Sequence, residues 1–171
     1  VINEKIPNKK KKLNTYSKSK LIIEKIALKS KKKVVILRVP GIFGYPRKSG
    51  LIYNTIIKLL KNKEPHINKN LPQIIVMHLR TIVTILVHLL KKDINLPKQK
   101  IININYKRNI NINNIIRFIF EKMNKKPVKI NYKKIKLYNN NFTNLFENKV
   151  SIEDDLLFEI NFLKKKLKKF N

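Results

Sequence analysis

The chain has 171 residues, with 40 Lys or Arg against 10 Asp or Glu, a net charge of +30 and no cysteine. That length can bury one core, the missing cysteine excludes disulfides and thiolate metal sites, and His66, His78 and His88 are too scattered for a histidine-only zinc site. No apolar run approaches the ~20 residues that span a bilayer, and the polar start from Val1 to Lys12 does not read as a secretory leader, so a cytoplasmic location is expected.

Val1 to Asn14 reads as a polar loop containing Pro7 and the run Lys9 to Lys12. A helix is predicted from Thr15 to Leu28, with Thr15 as its cap and Leu21, Ile22 and Ile26 at helical spacing. Val34 to Leu37 is a β-branched run suited to a strand covered on both faces, ending at Pro40-Gly41. Gly44 to Gly50 is a loop, and Leu51 to Lys61 an amphipathic helix. After a polar stretch with Pro65 and Pro72 come a strand from Gln73 to His78 and a helix from Thr81 to Lys92. Thr81 is the expected cap of that helix, with Ile82, Ile85, Leu86 and Leu89 facing inward. A strand is expected from Lys100 to Tyr106, then a helix from Asn111 to Met123 with Ile112, Ile115, Ile116 and Ile119 inward. Val128 to Asn131 reads as a further strand and Asn139 to Asn141 as a loop. Ser151 opens a last helix, with Glu153, Asp154 and Asp155 near its positive end and Lys164 to Lys169 near its negative end.

Strands alternating with helices indicate an α/β protein. The strands are too few for a complete doubly wound sheet of about six. With 3 glycines, at positions 41, 44 and 50, the chain holds neither a Gly-x-Gly-x-x-Gly fingerprint nor a P-loop.

The charge invites a nucleic-acid partner, but its form argues otherwise. Arginine occurs only at 38, 47, 80, 108 and 117, and the lysines spread over the whole length. Lys, Asn and Ile are inflated together, as in Ile101 to Asn105 and Asn109 to Asn113, which is the mark of AT-rich codons. Charge alone predicts weak, salt-sensitive binding to polyanions. A specific nucleic-acid site would gather Arg forks and stacking aromatics in one place.

Tyr16 and Lys20 stand four apart on the first predicted helix and so share a face. A phenol with a pKa near 10 is a poor base at neutral pH. An adjacent ammonium favours the phenolate, which can then exchange a proton with a hydroxyl or carbonyl. Spacing alone is weak evidence in a lysine-rich chain, since Tyr132 and Lys136 also satisfy it.

The ordered neighbours are more specific. Asn3 to Pro7, Tyr16-Ser-Lys-Ser-Lys20, Glu24, and Val34 to Gly44 with Arg38 and Ile42-Phe43-Gly44 follow one another as in the extended short-chain dehydrogenase/reductases, the NAD-dependent epimerase/dehydratase family, which the chain resembles. Val76 to Val83 and Ile101 to Asn105 continue the likeness, so that it covers residues 1 to 131. Thr81 stands where that family opens a helix with aspartate, and Gly41 where many of its members carry Asn.

The resemblance implies the C-terminal part of a Rossmann-type enzyme with its smaller substrate-binding portion. Residues 1–45 would end the Rossmann-type domain, 46–150 would be mostly substrate-binding with a return strand near 100–106, and 151–171 would form a C-terminal helix. It further implies NAD or NADP as cofactor and a nucleotide sugar as substrate. Tyr16 would be the general acid/base. Lys20 would lower its pKa and hold the nicotinamide ribose, and Val39 and Pro40 would line the nicotinamide end. Gly41, Phe43 and Arg47 would approach the substrate, Arg47 through its diphosphate. Family members dimerise through the helix that carries Tyr16, so Leu21, Ile22 and Ile26 read as either interface or core. The chain alone is expected to be inactive, with a non-catalytic remnant and a basic nucleic-acid-binding module as the alternatives.

Overall fold

The computed structural model describes residues 14–32, 34–67, 75–91, 101–106, 111–126 and 150–168. In chain order the elements are α1 (Thr15–Lys29), β1 (Ile36–Arg38), β2 (Gly41–Phe43), α2 (Leu51–Leu60), β3 (Val76–His78), α3 (Leu79–Lys91), β4 (Ile101–Asn103), α4 (Ile112–Lys122) and α5 (Ile152–Lys168). The expected strand from Val128 to Asn131, the loop at Asn139 to Asn141 and the segment Asn3 to Pro7 lie outside the described residues.

The strands form two parallel pairs. β1 lies beside β4, with Ile36 opposite Ile101, and β2 beside β3, with Gly41 opposite Val76. Parallel pairing requires a crossover, which α2 supplies between β2 and β3.

The core is a three-helix packing of α2, α4 and α5. Ile112, Ile115, Ile116 and Ile119 recur at helical spacing on α4 and are all buried, as expected. They meet Ile52, Ile56 and Leu59 of α2 and Leu156, Ile160 and Leu163 of α5 in one cluster. Asn111 caps α4, its Oδ1 accepting from the Asn114 amide at 2.9 Å. Ser151 and Asp154 cap α5 reciprocally: Asp154 N–H donates to Ser151 Oγ at 3.1 Å, and Ser151 N–H to Asp154 Oδ2 at 3.0 Å.

Several expectations are corrected. Asn14, not Thr15, caps α1, its Oδ1 accepting from Ser17 N–H at 2.8 Å. Gly41 to Phe43 forms a second strand, starting where the first was expected to end. The Val34–Leu37 strand lies at Ile36–Arg38 and is half-buried throughout, because among the described residues β4 is its only strand neighbour. Thr81 does not cap α3, which begins two residues earlier at Leu79. The residue before it, His78, takes that role, its Nδ1 accepting from Arg80 N–H at 3.0 Å.

Two helix faces remain apolar and exposed. α1 has no buried residue and presents Ile22, Ile23 and Ile26. α3 buries Ile82 and Ile85 but exposes Val83, Leu86, Val87 and, at 84%, Leu90. Leu86 was expected inward; it falls on this uncovered flank. No helix among the described residues is long and apolar enough to cross a membrane.

Candidate functional site

Tyr16 and Lys20 share one face of α1 as the spacing requires, with Lys20 Nζ 5.5 Å from the Tyr16 ring centroid and Tyr16 69% exposed. Glu24, one turn further, accepts two bonds from Arg38 at the end of β1: Nε to Oε1 and Nη2 to Oε2, both at 2.8 Å. Two residues that entered the family likeness separately thus form one bidentate ion pair. The pair ties α1 to the carboxyl end of β1, and Tyr16 stands about 12 Å upstream of Glu24 along the helix at 1.5 Å per residue. In open α/β sheets ligands bind on that side.

The Arg38 hydrogen bonds hold the Glu24 carboxyl below its ordinary range, against the opposing effect of desolvation. A depressed acid contributes stability above its unfolded pKa, about 4.3 for Glu, and loses it as pH falls through the lower folded value. The melting temperature is therefore expected to drop on acidification below about pH 4.3, and to drop less in Glu24→Gln. Equal drops in the two proteins would remove the pair from the account.

Val39 follows β1 at 38% exposure, with Pro40 half-buried beside it. Gly41 is exposed and begins β2, donating its N–H to Ile75 O at 3.0 Å. Phe43 is buried at 5%, its ring edge-on to His78 at 5.0 Å. Arg47 is exposed but folded back on its own loop, donating from Nη1 to Ile42 O at 2.9 Å and from Nε to Ser49 Oγ at 3.4 Å. The loop turns at Gly44 to Arg47, closed by Arg47 N–H to Gly44 O at 3.1 Å and containing a cis Tyr45–Pro46 bond.

Beside this loop lies a buried polar cluster that the sequence reading did not assemble. Asp155 on α5 is fully buried and accepts from Arg80 Nε at 2.9 Å on Oδ1, and from Thr81 Oγ1 and the Tyr106 hydroxyl, each at 2.5 Å, on Oδ2. Tyr106 in turn accepts from His78 N–H at 2.9 Å. Burial first, and the Asp155 carboxylate second, push the Tyr106 phenol far above its usual range, so it stays a hydroxyl donor. One turn on, Glu159 Oε2 lies 3.2 Å from His78 Nε2 and accepts from Tyr45 N–H at 3.3 Å, while its Oε1 is buried with no partner among the described residues. Asp155 stands in the first turn of α5, as expected, and anchors this network as well.

A signal for the cluster was present. Asp155 and Glu159 fall on the same stripe of α5 as Leu156, Ile160 and Leu163, and acids on an apolar face demand buried partners. Nothing in the sequence announced Lys166, whose Nζ sits 3.5 Å over the Tyr45 ring. Its ammonium, with a smaller effect from Lys48, draws the Tyr45 phenol below its ordinary pKa.

Gly44 makes the approach of His78 to the loop possible. It has φ +104°, and a Cβ built there would stand 2.5 Å from His78 Nε2. Gly44→Ala combines a disfavoured backbone with overpacking against a buried ring and is expected to cost about 2–4 kcal/mol, read as a lowered urea midpoint. A change below about 0.5 kcal/mol would show that the loop is free to move off His78.

No family model matches the chain, and no curated protein matches it in sequence. Solved structures do. One is an enzyme of Bordetella bronchiseptica in complex with NAD and UDP, with TM-score 0.71 and 14% identity over 91% of this chain and 52% of that one. A second is the dTDP-glucose 4,6-dehydratase of Bacillus anthracis in complex with NAD, with TM-score 0.69 and 18% identity over 91% and 53%. A third is the UDP-glucose 4-epimerase of Thermotoga maritima with UDP-glucose, with TM-score 0.65 and 17% identity over 88% and 52%. The chain spans about half the length of these structures, and its fold is the matching half of theirs.

Proposed function

We propose that the chain is the C-terminal half of an NAD(P)-dependent enzyme that epimerises, dehydrates or reduces a nucleotide sugar, and that it acts only with a dinucleotide-binding N-terminal half. The observation that carries this reading is the exposed Tyr16–Lys20 face, tied through Glu24 and Arg38 to the carboxyl end of a parallel strand. In this reading residues 1–45 close the dinucleotide-binding domain, 46–150 mostly hold the substrate and 151–171 form the terminal helix. A cytoplasmic location suits it.

The residues present fit the nicotinamide end of such a cofactor and not the remainder. Tyr16, Lys20 and Val39 are accessible, whereas the glycines at 41, 44 and 50 cannot make a pyrophosphate-binding turn of the Gly-x-Gly-x-x-Gly kind. When bound, the dinucleotide supplies hydride transfer. The Tyr16 hydroxyl exchanges a proton with the sugar hydroxyl or carbonyl, and the Lys20 ammonium holds the ribose. The backbone of Val39 and Pro40 lines the nicotinamide end, and Gly41 lets the sugar approach. Arg47 meets the diphosphate by giving up its bond to the Ile42 carbonyl.

The need for a second half has its own support in the apolar faces of α1 and α3. Ile22, Ile23 and Ile26, and Val83, Leu86, Val87 and Leu90, are more apolar surface than two solvent-facing helices ordinarily show. A dinucleotide-binding half would cover them, with a homodimer through α1 sharing the first. Nucleic-acid binding is the weaker reading. The aromatic rings around α5 already carry cations on their faces, Lys166 on Tyr45 and Arg80 on Phe158, and so offer bases little to stack on.

The test joins the chain to its N-terminal half and incubates it with NAD and UDP-glucose, dTDP-glucose or UDP-glucuronate. Conversion of one of these sugars is expected from the joined protein only. A joined protein that binds NAD and converts none of them is the non-catalytic remnant instead.

A further inference from the structure

We propose that α5 is a positioning strap that fixes the loop from Tyr45 to Ser49, with Glu159 and the His78 ring as its buckle. Asp155, Glu159, Phe162 and Lys166 recur at helical spacing and share one face of α5. Each meets residues just past the carboxyl end of a parallel strand. Asp155 holds Tyr106 beyond β4 and Arg80 and Thr81 beyond β3. Glu159 holds His78, the last residue of β3, and the Tyr45 amide beyond β2. Phe162 and Lys166 hold the Tyr45 ring, at 5.1 Å between centroids and 3.5 Å from Nζ to centroid.

The hydrogen bonds fix the state of the buckle. Arg80 N–H can only donate, so His78 Nδ1 is an acceptor and the ring proton sits on Nε2. That proton points at Glu159 Oε2, which also takes the Tyr45 N–H. One imidazole therefore joins the start of α3, the carboxylate on α5 and, through it, the loop. Packing alone would not select this arrangement. Glu159 leaves Oε1 buried without a partner among the described residues, and buried charge is commonly matched or bettered in stability by apolar side chains of similar volume. A carboxylate kept there at a cost in stability is explained by what Oε2 holds in place. The description of the loop as substrate-facing rests on the function proposed above; the strap itself does not.

Two NMR measurements on the chain test the strap with no turnover needed. A long-range 1H–15N spectrum at neutral pH is expected to show His78 with Nε2 protonated and Nδ1 bare. A ring protonated on Nδ1, or on both nitrogens, overturns the buckle and requires no variant. Hydrogen exchange at the Tyr45 amide is expected to quicken about tenfold or more in Glu159→Ala, the loss of one hydrogen bond to a charged acceptor. Glu159→Gln keeps an acceptor for both donors and is expected to restore most of the protection and the same His78 tautomer. Unchanged Tyr45 exchange in a folded Glu159→Ala protein overturns the strap. Confirmed exchange with a joined protein that converts no nucleotide sugar leaves the strap standing and removes only the function proposed for its loop.

Discussion

Asp155→Ala is expected to cost about 3–5 kcal/mol, from leaving several donors without their acceptor at about 1–3 kcal/mol for each buried one. Asp155 is at 0% exposure and is the common acceptor for Arg80, Thr81 and Tyr106. Its removal takes the acceptor from two buried hydroxyl donors and a half-buried guanidinium, and each then bears part of its desolvation uncompensated. Domains of this kind are stable by only about 5–15 kcal/mol, so the variant should unfold at far lower urea or fail to fold. Asp155→Asn keeps an acceptor oxygen on the same stem but loses the charge facing Arg80, and is expected to fall between the two. Urea unfolding followed by circular dichroism decides the matter. A midpoint for Asp155→Ala within error of the parent protein would mean that the cluster does not hold α5 to β3 and α3.

The second large effect concerns chemistry instead of stability. In the protein joined to its N-terminal half, Tyr16→Phe is expected to lower kcat by about 10²- to 10⁴-fold, the range for loss of a positioned acid/base. Because Tyr16 is 69% exposed on a helix that buries none of its residues, the melting temperature of the chain alone should hardly move. The split between the two readouts is the point. A fall in both would mark Tyr16 as structural, and undiminished turnover would place the proton transfer elsewhere. Tyr45, whose phenol is acidified by Lys166, is the residue to replace next in that event.

What the sequence made legible follows from how local each signal is. The α4 stripe of Ile112, Ile115, Ile116 and Ile119 depends only on helical period, and every member is buried. The likeness built on Tyr16, Glu24, Arg38 and Gly44 pointed to a half-length α/β fold, and two of those residues meet in the predicted region as an ion pair. Caps were less legible, because several residue types can fill them. Asn14 displaced Thr15 by one position, and His78 took a role assigned to Thr81, since a histidine Nδ1 can accept as a hydroxyl does. Least legible was the cluster around Asp155 and Glu159. These two acids lie 49 to 114 residues from their partners, as in Tyr106 to Asp155 and Tyr45 to Glu159. Only their place on the apolar stripe of α5 hinted that they were buried. The sequence treated α5 as a dipole-balanced terminal helix, whereas it reaches the ends of three strands.

The claim on which the rest depends is that half of a cofactor site is here and half is not. Titration of NAD into this chain and into its joined form, followed by calorimetry, tests it most directly. The account predicts saturable binding by the joined protein and none by the chain alone, because in the proposed function Tyr16 and Lys20 would meet only the nicotinamide end and the pyrophosphate-binding turn would come from the other half. Tight NAD binding by the chain alone would contradict it.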